Sequence, residues 1–242
     1  MGTADAVLPG YFDQLRAWIE RLPEKFNHPS VPPPKATLLC GLPGVGKGTA
    51  ARVIARTLQR PLFLLDGSIP LNALNRLADA NEPFVLWIDQ PGHNHTGILR
   101  WLQTQNTPTA FVVFTTDAPH KLPAGFARAD VVESSWHLDL PDLGQRSGLW
   151  GDLLSAMIPG HHEHDSVKLA QLSPMFTAAE IRGAYDNAMR EAGGIPDPGV
   201  LIDAVLAMRP VALSLDQDLA CLRAWARSHA RSASSEASCR ET

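Results

Sequence analysis

Several things are scarce in this sequence. Of its 242 residues three are cysteine (Cys40, Cys221 and Cys239), too few and too widely spaced for a disulfide framework, which fits a reducing compartment. No apolar run is long enough to span a bilayer. The opening MGTADAVLPG lacks a basic region followed by an apolar stretch, which reads against a signal peptide. Basic charge is not in surplus: the formal net charge is −4, so neither nucleic acid nor an anionic membrane is an expected partner. There is no internal repeat, no HExxH and no paired cysteine. A soluble, cytoplasmic protein is the expectation. What is present is a packable chain, 45% hydrophobic and 19% charged, which is enough for a core.

Apolar runs at 36–40 (ATLLC), 62–66 (LFLLD), 84–89 (FVLWID), 110–115 (AFVVFT) and 131–138 are separated by helical patterns. That alternation predicts an α/β fold with a parallel sheet covered on both faces. A helix over 11–26 precedes them, with Phe12, Leu15, Ile19 and Leu22 on one face, and the Pro-rich 28–34 ends it. Further helices are predicted over 47–59, 70–80 and 97–103. After Pro141 the strand patterns stop, and 142–157, 165–171, 177–192, 198–208 and 215–231 all read as helices. The expected organisation is a lead-in (1–34), a sheet subdomain (35–140), a helical lid (141–231) and a flexible polar tail (232–242).

The strand at 36–40 runs into Gly41-Leu-Pro43-Gly44-Val45-Gly46-Lys47-Gly48-Thr49 and then into a helix. Glycines let backbone N–H groups turn inward on phosphate oxygens, the helix N-terminus adds positive potential, and a lysine supplies full charge. Pro43 to Thr49 are therefore the candidate nucleotide-binding residues. The motif usually has Ser or Thr directly after the lysine, as a Mg²⁺ ligand; here Gly48 stands there and Thr49 follows. The apolar strand FVLWID ends in Asp89, placed to hold Mg²⁺ beside such a loop. Thr49 and Asp89 are the candidate metal ligands. Gln90 occupies the position of a catalytic glutamate. Glutamine orients water but is a very poor base, and base catalysis is worth ~10²–10⁴ in rate.

These residues resemble an AAA ATPase, most of all the AAA module of the conserved-open-reading-frame ATPases of cyanobacteria and plastids. The resemblance covers about residues 11–232. It rests on Leu15-Arg-Ala-Trp18, Pro34-Lys35, the Val85–Asp89 strand, Val112-Val-Phe-Thr-Thr-Asp117 and Leu122-Pro-Ala-Gly-Phe-Ala-Arg128-Ala-Asp130. Leu138–Pro141, Phe176-Thr-Ala-Ala-Glu180-Ile and Leu222-Arg-Ala-Trp225 continue the series. It implies a five-stranded αβα sheet domain of the P-loop NTPase type with a C-terminal helical lid. It also implies ATP and Mg²⁺ between them, and a homo-oligomeric ring, often a hexamer, that acts on a protein client. It places Asp117 at the sensor-1 position, where asparagine is usual. It places Arg128 as an arginine finger reaching a neighbour's site, a contribution of ~10³–10⁵ in turnover; a solvated helix-end cation is the other reading of Arg128. The short 67–83 segment, with Ile69-Pro-Leu-Asn-Ala-Leu74 and no aromatic residue, reads against threading a polypeptide through a pore.

Other features have plainer readings. His161-His-Glu-His164-Asp165 is either a metal-binding cluster or a solvated loop. His93 and His95 either touch nucleotide or a neighbouring subunit, or belong to a polar loop. The six tryptophans, Trp87 included, read as packing. The sequence leaves three functions open: a slow AAA ATPase that remodels a protein, a nucleotide-gated assembly module without significant turnover, and, from the string GKGT, a nucleoside-monophosphate kinase.

Overall fold

The computed structural model describes residues 7–65, 74–76, 79, 82–92, 95–104, 109–157 and 163–235. In chain order its elements begin with α1 (Asp13–Glu20), α2 (Leu22–Phe26), β1 (Ala36–Cys40), α3 (Lys47–Thr57), β2 (Leu62–Leu65) and β3 (Phe84–Asp89). Then come α4 (Thr96–Thr104), β4 (Ala110–Thr116) and β5 (Val132–His137). The helical part holds α5 (Leu143–Met157), α6 (Glu163–Leu172), α7 (Ala178–Ala192), α8 (Pro198–Ala207), α9 (Val211–Ser214) and α10 (Asp216–His229), and β6 (Arg231–Ser232) closes the series. The helix expected over 70–80 and the segment around Ile69 fall largely outside the described residues, as do His93, Cys239 and most of the His161–His164 cluster.

The strands form one sheet in the order β2-β3-β4-β1-β5-β6, and every pairing is parallel. Side chains alternate between its faces. Leu39, Val85, Phe111 and Val113 pack with α1, α3 and α10 on one side. Leu38, Leu86, Ile88, Val112 and Phe114 pack with α4 and Leu74 on the other. A third core lies in the helical lid around the fully buried Trp150, whose indole N–H donates to Ser173 Oγ at 3.1 Å. Among the described residues no single helix is long and apolar enough to cross a membrane.

Two departures from the expected elements have local causes. The helix predicted over 11–26 breaks at Arg21, with Pro23 in the first turn of the second piece. Proline lacks an N–H for the helical ladder, so the helix restarts there. The second departure is at the C-terminus. Arg231 and Ser232 leave the last helix and pair with Trp136 and His137 as a sixth strand. Ala233, expected in a frayed tail, is fully buried. Its N–H donates to His137 C=O, and its carbonyl accepts from the N–H groups of Gln14 and Leu15. The first turn of α1 has no side-chain cap, so Ala233 satisfies backbone donors that would otherwise lack a partner.

Candidate nucleotide-binding site

The loop between β1 and α3 is shaped by two left-handed glycines, Gly44 (φ +85°) and Gly46 (φ +115°). A β-carbon on Gly44 would also lie 2.7 Å from Thr177 Oγ1 and 3.0 Å from Ala179 Cβ. Only glycine meets both demands. The contact is with the lid: Ala179 N–H, in the first turn of α7, donates to Gly44 C=O at 3.1 Å. A capping box fixes that helix end. Glu180 N–H donates to Thr177 Oγ1 at 3.3 Å, and Glu180 Oε2 accepts from Thr177 N–H at 2.8 Å. Glu180 Oε1 accepts Val211 N–H at 2.6 Å, which ties α9 to the same joint.

Lys47 opens α3 and is buried. Its ammonium donates to Gly41 C=O at 2.7 Å and Leu42 C=O at 3.0 Å. An ammonium has three donors, so one remains for a ligand. Burial pulls the Lys47 pKa below the ordinary lysine value, while the charges of Asp117 and Asp89 push it back up. Two cavities meet at the loop. One, of about 370 Å³, is lined by Pro43, Gly44, Gly46, Lys47, Gly48 and Thr49 together with Arg52, Trp87, Asp89, Gln90 and Ala179. The other, of about 480 Å³, shares Gly44, Gly46, Thr49 and Ala179 and reaches Leu8–Gly10 and the lid helices at Asp152 and Arg182. Val45, grouped with the binding residues from the sequence, does not line either cavity; its side chain is fully buried and anchors the loop in the core.

The opposite wall is the C-terminal ends of β3 and β4. Trp87 is half-buried there, packed against the core as expected and also lining the cleft. Its indole N–H donates to Thr115 Oγ1 at 2.8 Å, and that hydroxyl donates to Asp89 Oδ1 at 2.6 Å. Arg52, from α3, lies over the indole with its guanidinium carbon 5.3 Å from the ring centroid. Gln90 adopts φ +50°, a left-handed backbone at a non-glycine residue. Its Oε1 accepts from Thr116 Oγ1 at 3.2 Å and from Asp117 N–H at 3.5 Å. The backbone N–H can only donate, so the end of the amide that faces β4 is its oxygen.

Arg128 lies outside both cavities. Its guanidinium holds Asp130 through two bonds, Nε to Oδ1 at 3.0 Å and Nη2 to Oδ2 at 2.9 Å, and both side chains are exposed. His95 is buried, and its Nδ1 accepts Gly92 N–H at 3.1 Å, so it braces the turn after β3. Cys40 is buried and its thiol is pushed up to about 12, mainly by burial, so it is not a nucleophile. Arg52, Trp87 and Ala179 are site residues that the sequence reading missed. The spacing of Arg52, one turn beyond Gly48, was the available signal for it.

The parallel sheet order, the loop and the helical lid define the class: this is an AAA-type P-loop domain. Within that class it is similar to the module of the ycf46 proteins. No family model matches the chain. It is 30% identical over 254 aligned positions to the uncharacterized AAA domain-containing protein ycf46 of Trieres chinensis, covering 90% of this chain and 51% of that protein. The ycf46 protein of Pyropia yezoensis is 26% identical, over 90% of this chain and 51% of that one. The ATP-dependent zinc metalloprotease FtsH of Parabacteroides distasonis is 26% identical over 69% of this chain and 29% of its own length. The chain thus spans about half the length of the ycf46 relatives it matches. The crystal structure of the FIGL-1 AAA domain superposes with a TM-score of 0.73 at 21% identity, over 95% of this chain and 90% of that one. The ADP complex of the same domain gives 0.69 at 20% identity, over 95% and 91%.

A magnesium ion of the usual P-loop kind draws on a hydroxyl directly after the lysine and on the acid of the neighbouring strand. Asp89 and Thr49 both line the cleft. Position 48 supplies no hydroxyl, and a β-carbon there would lie 2.6 Å from Trp87 Cη2 and 2.9 Å from Cζ2. The residues present do not make up that ligand set.

Proposed function

We propose that this chain binds ATP or ADP across the joint between sheet and lid and works as a nucleotide-gated binding module with little or no turnover. The observation that carries this reading is the joint itself. One loop, through Gly44, Gly46 and Thr49, lines both cavities and is bonded to the first turn of α7. A ligand that fills both cavities touches both subdomains, so its affinity is coupled to their relative position. The AAA relatives, and a neighbour crystallised with ADP, support a nucleotide as that ligand.

Low turnover is supported by Gln90. Its one good acceptor is already taken by Thr116 and Asp117, so it offers water no acceptor to receive a proton. The charge of Asp117 pushes the Lys47 pKa up against the effect of burial. Assembly with copies of this chain and recruitment of a protein client belong to the same proposal. In a ring, Arg128 meets a neighbour's nucleotide only after exchanging its bonds to Asp130 for phosphate.

The test is ATP binding and turnover by the purified protein, with Lys47→Ala as control. Saturable binding with turnover no higher than the control is the expected result. Turnover that vanishes in the control would replace this reading with a slow ATPase that remodels a partner. Transfer of phosphate to AMP would replace it with a monophosphate kinase. No binding would sink it.

A further inference from the structure

We infer that this site takes its nucleotide without a divalent cation, and that Arg52 supplies the positive charge a metal would otherwise bring. The inference rests on reading the cleft as a nucleotide site. Its ground is the volume beside Gly48. The space for a side chain there is filled by the outer ring of Trp87, at 2.6 Å and 2.9 Å from where a β-carbon would stand. That ring is not a loose end that could swing aside. Its N–H is bonded to Thr115 Oγ1, that hydroxyl is bonded to Asp89 Oδ1, and the indole face carries Arg52. The same relay draws on the carboxylate that would hold the metal. The hydroxyl ligand is therefore excluded by packing, and a serine at position 48 would not restore it by itself.

Arg52 follows Gly48 by four residues on α3, so it projects from the same face of the helix, one turn further along. It lines the cleft together with Lys47, Thr49, Asp89 and Gln90. A guanidinium stays charged at any working pH and grips phosphate oxygens through parallel N–H bonds. Stacking on Trp87 holds the head of this long side chain beside the cleft before a ligand arrives. Lys47 and Arg52 thus present two cations to a phosphate chain, set against Asp89 and Asp117.

The test titrates the purified chain with ADP in excess Mg²⁺ and again in EDTA, with heat of binding as the readout. The dissociation constants are expected to agree within about threefold, a difference of about 0.7 kcal/mol. Arg52→Ala and Arg52→Gln, each checked by thermal melting, are expected to weaken binding in EDTA by about tenfold or more, as loss of a charge-assisted contact does. The double variant Gly48→Ser with Trp87→Phe removes Cζ2 and Cη2 and adds the hydroxyl. It is expected to gain a Mg²⁺ dependence of about tenfold that the parent lacks. Parental affinity that drops about tenfold or more in EDTA overturns the metal-free reading. Folded Arg52 variants that bind normally in EDTA overturn the role of Arg52. Binding in Mg²⁺ but not in EDTA leaves the nucleotide site standing and defeats this inference alone; no binding in either buffer defeats both.

Discussion

The two walls of the cleft are built by different means. The loop wall is a backbone structure: two left-handed glycines, a lysine tied to carbonyls and a lid helix bonded to Gly44 C=O. The strand-end wall is made of side chains that fill and bond one another, from Arg52 over Trp87 to Thr115 and Asp89. The loop wall keeps the features that phosphate binding needs. The strand-end wall carries Gln90 where a catalytic base is expected, and its Trp87 ring fills the space beside Gly48. On the proposed reading binding rests on the first wall and turnover on the second, so mutation should separate them.

The sharpest way to break this comparison is Gly44→Ala. It forces a left-handed backbone on alanine and drives a β-carbon to 2.7 Å from Thr177 Oγ1. We expect a loss of roughly 2–4 kcal/mol in a denaturant titration, from the backbone cost and the overlap together, and loss of nucleotide binding. A stable, binding-competent variant would mean the lid joint does not fix the loop. On the other wall, Thr115→Val removes the middle of the Trp87–Thr115–Asp89 relay. The expected cost is about 1–3 kcal/mol, read by thermal unfolding, with a change in tryptophan fluorescence. Unchanged melting and emission would show that shape alone holds the indole.

Gln90→Glu probes the second wall by function. A well-placed base supplies ~10²–10⁴ in rate, but the wall is altered at more than this residue, so we expect a rise in ATP turnover of less than about tenfold. A gain across the full range would make the site competent in all but one atom and remove the distinction between the walls.

The smallest effect is in pH. Burial lowers the Lys47 pKa from its ordinary 10.5. Between that lowered value and 10.5 the unfolded chain binds more protons than the folded one, so the stability of the ligand-free protein rises with pH in that window. Nucleotide affinity falls over the same window as the ammonium is lost. Titrations at stepped alkaline pH, with Lys47→Arg for comparison, check both slopes; parallel slopes for the two proteins would show that Lys47 is not the group responsible.

The difference between the walls also explains what the sequence made legible. A backbone structure is encoded by neighbours in the chain, so Gly41–Thr49 could be read from spacing, and β1 to β5 from their apolar runs. The strand-end wall joins α3, β3 and β4 through contacts between residues far apart in sequence. Gly48 looked like a missing hydroxyl, and Trp87 looked like core packing. Only their contact shows that each explains the other. β6 was hidden for a related reason. Arg231 and Ser232 are exposed, polar and only two residues long, and the apolar anchor that holds them is the small Ala233.

That anchor ties the site to a residue remote from it in sequence. The residues Leu8–Gly10, which wall the lid-side cavity, are held to α1 by Arg16, whose Nη2 donates to Leu8 C=O at 2.9 Å. The first turn of α1 is in turn secured by the carbonyl of Ala233. A change that breaks the bonds of Ala233 therefore leaves the P-loop sequence intact while removing a brace from the far wall of the lid-side cavity.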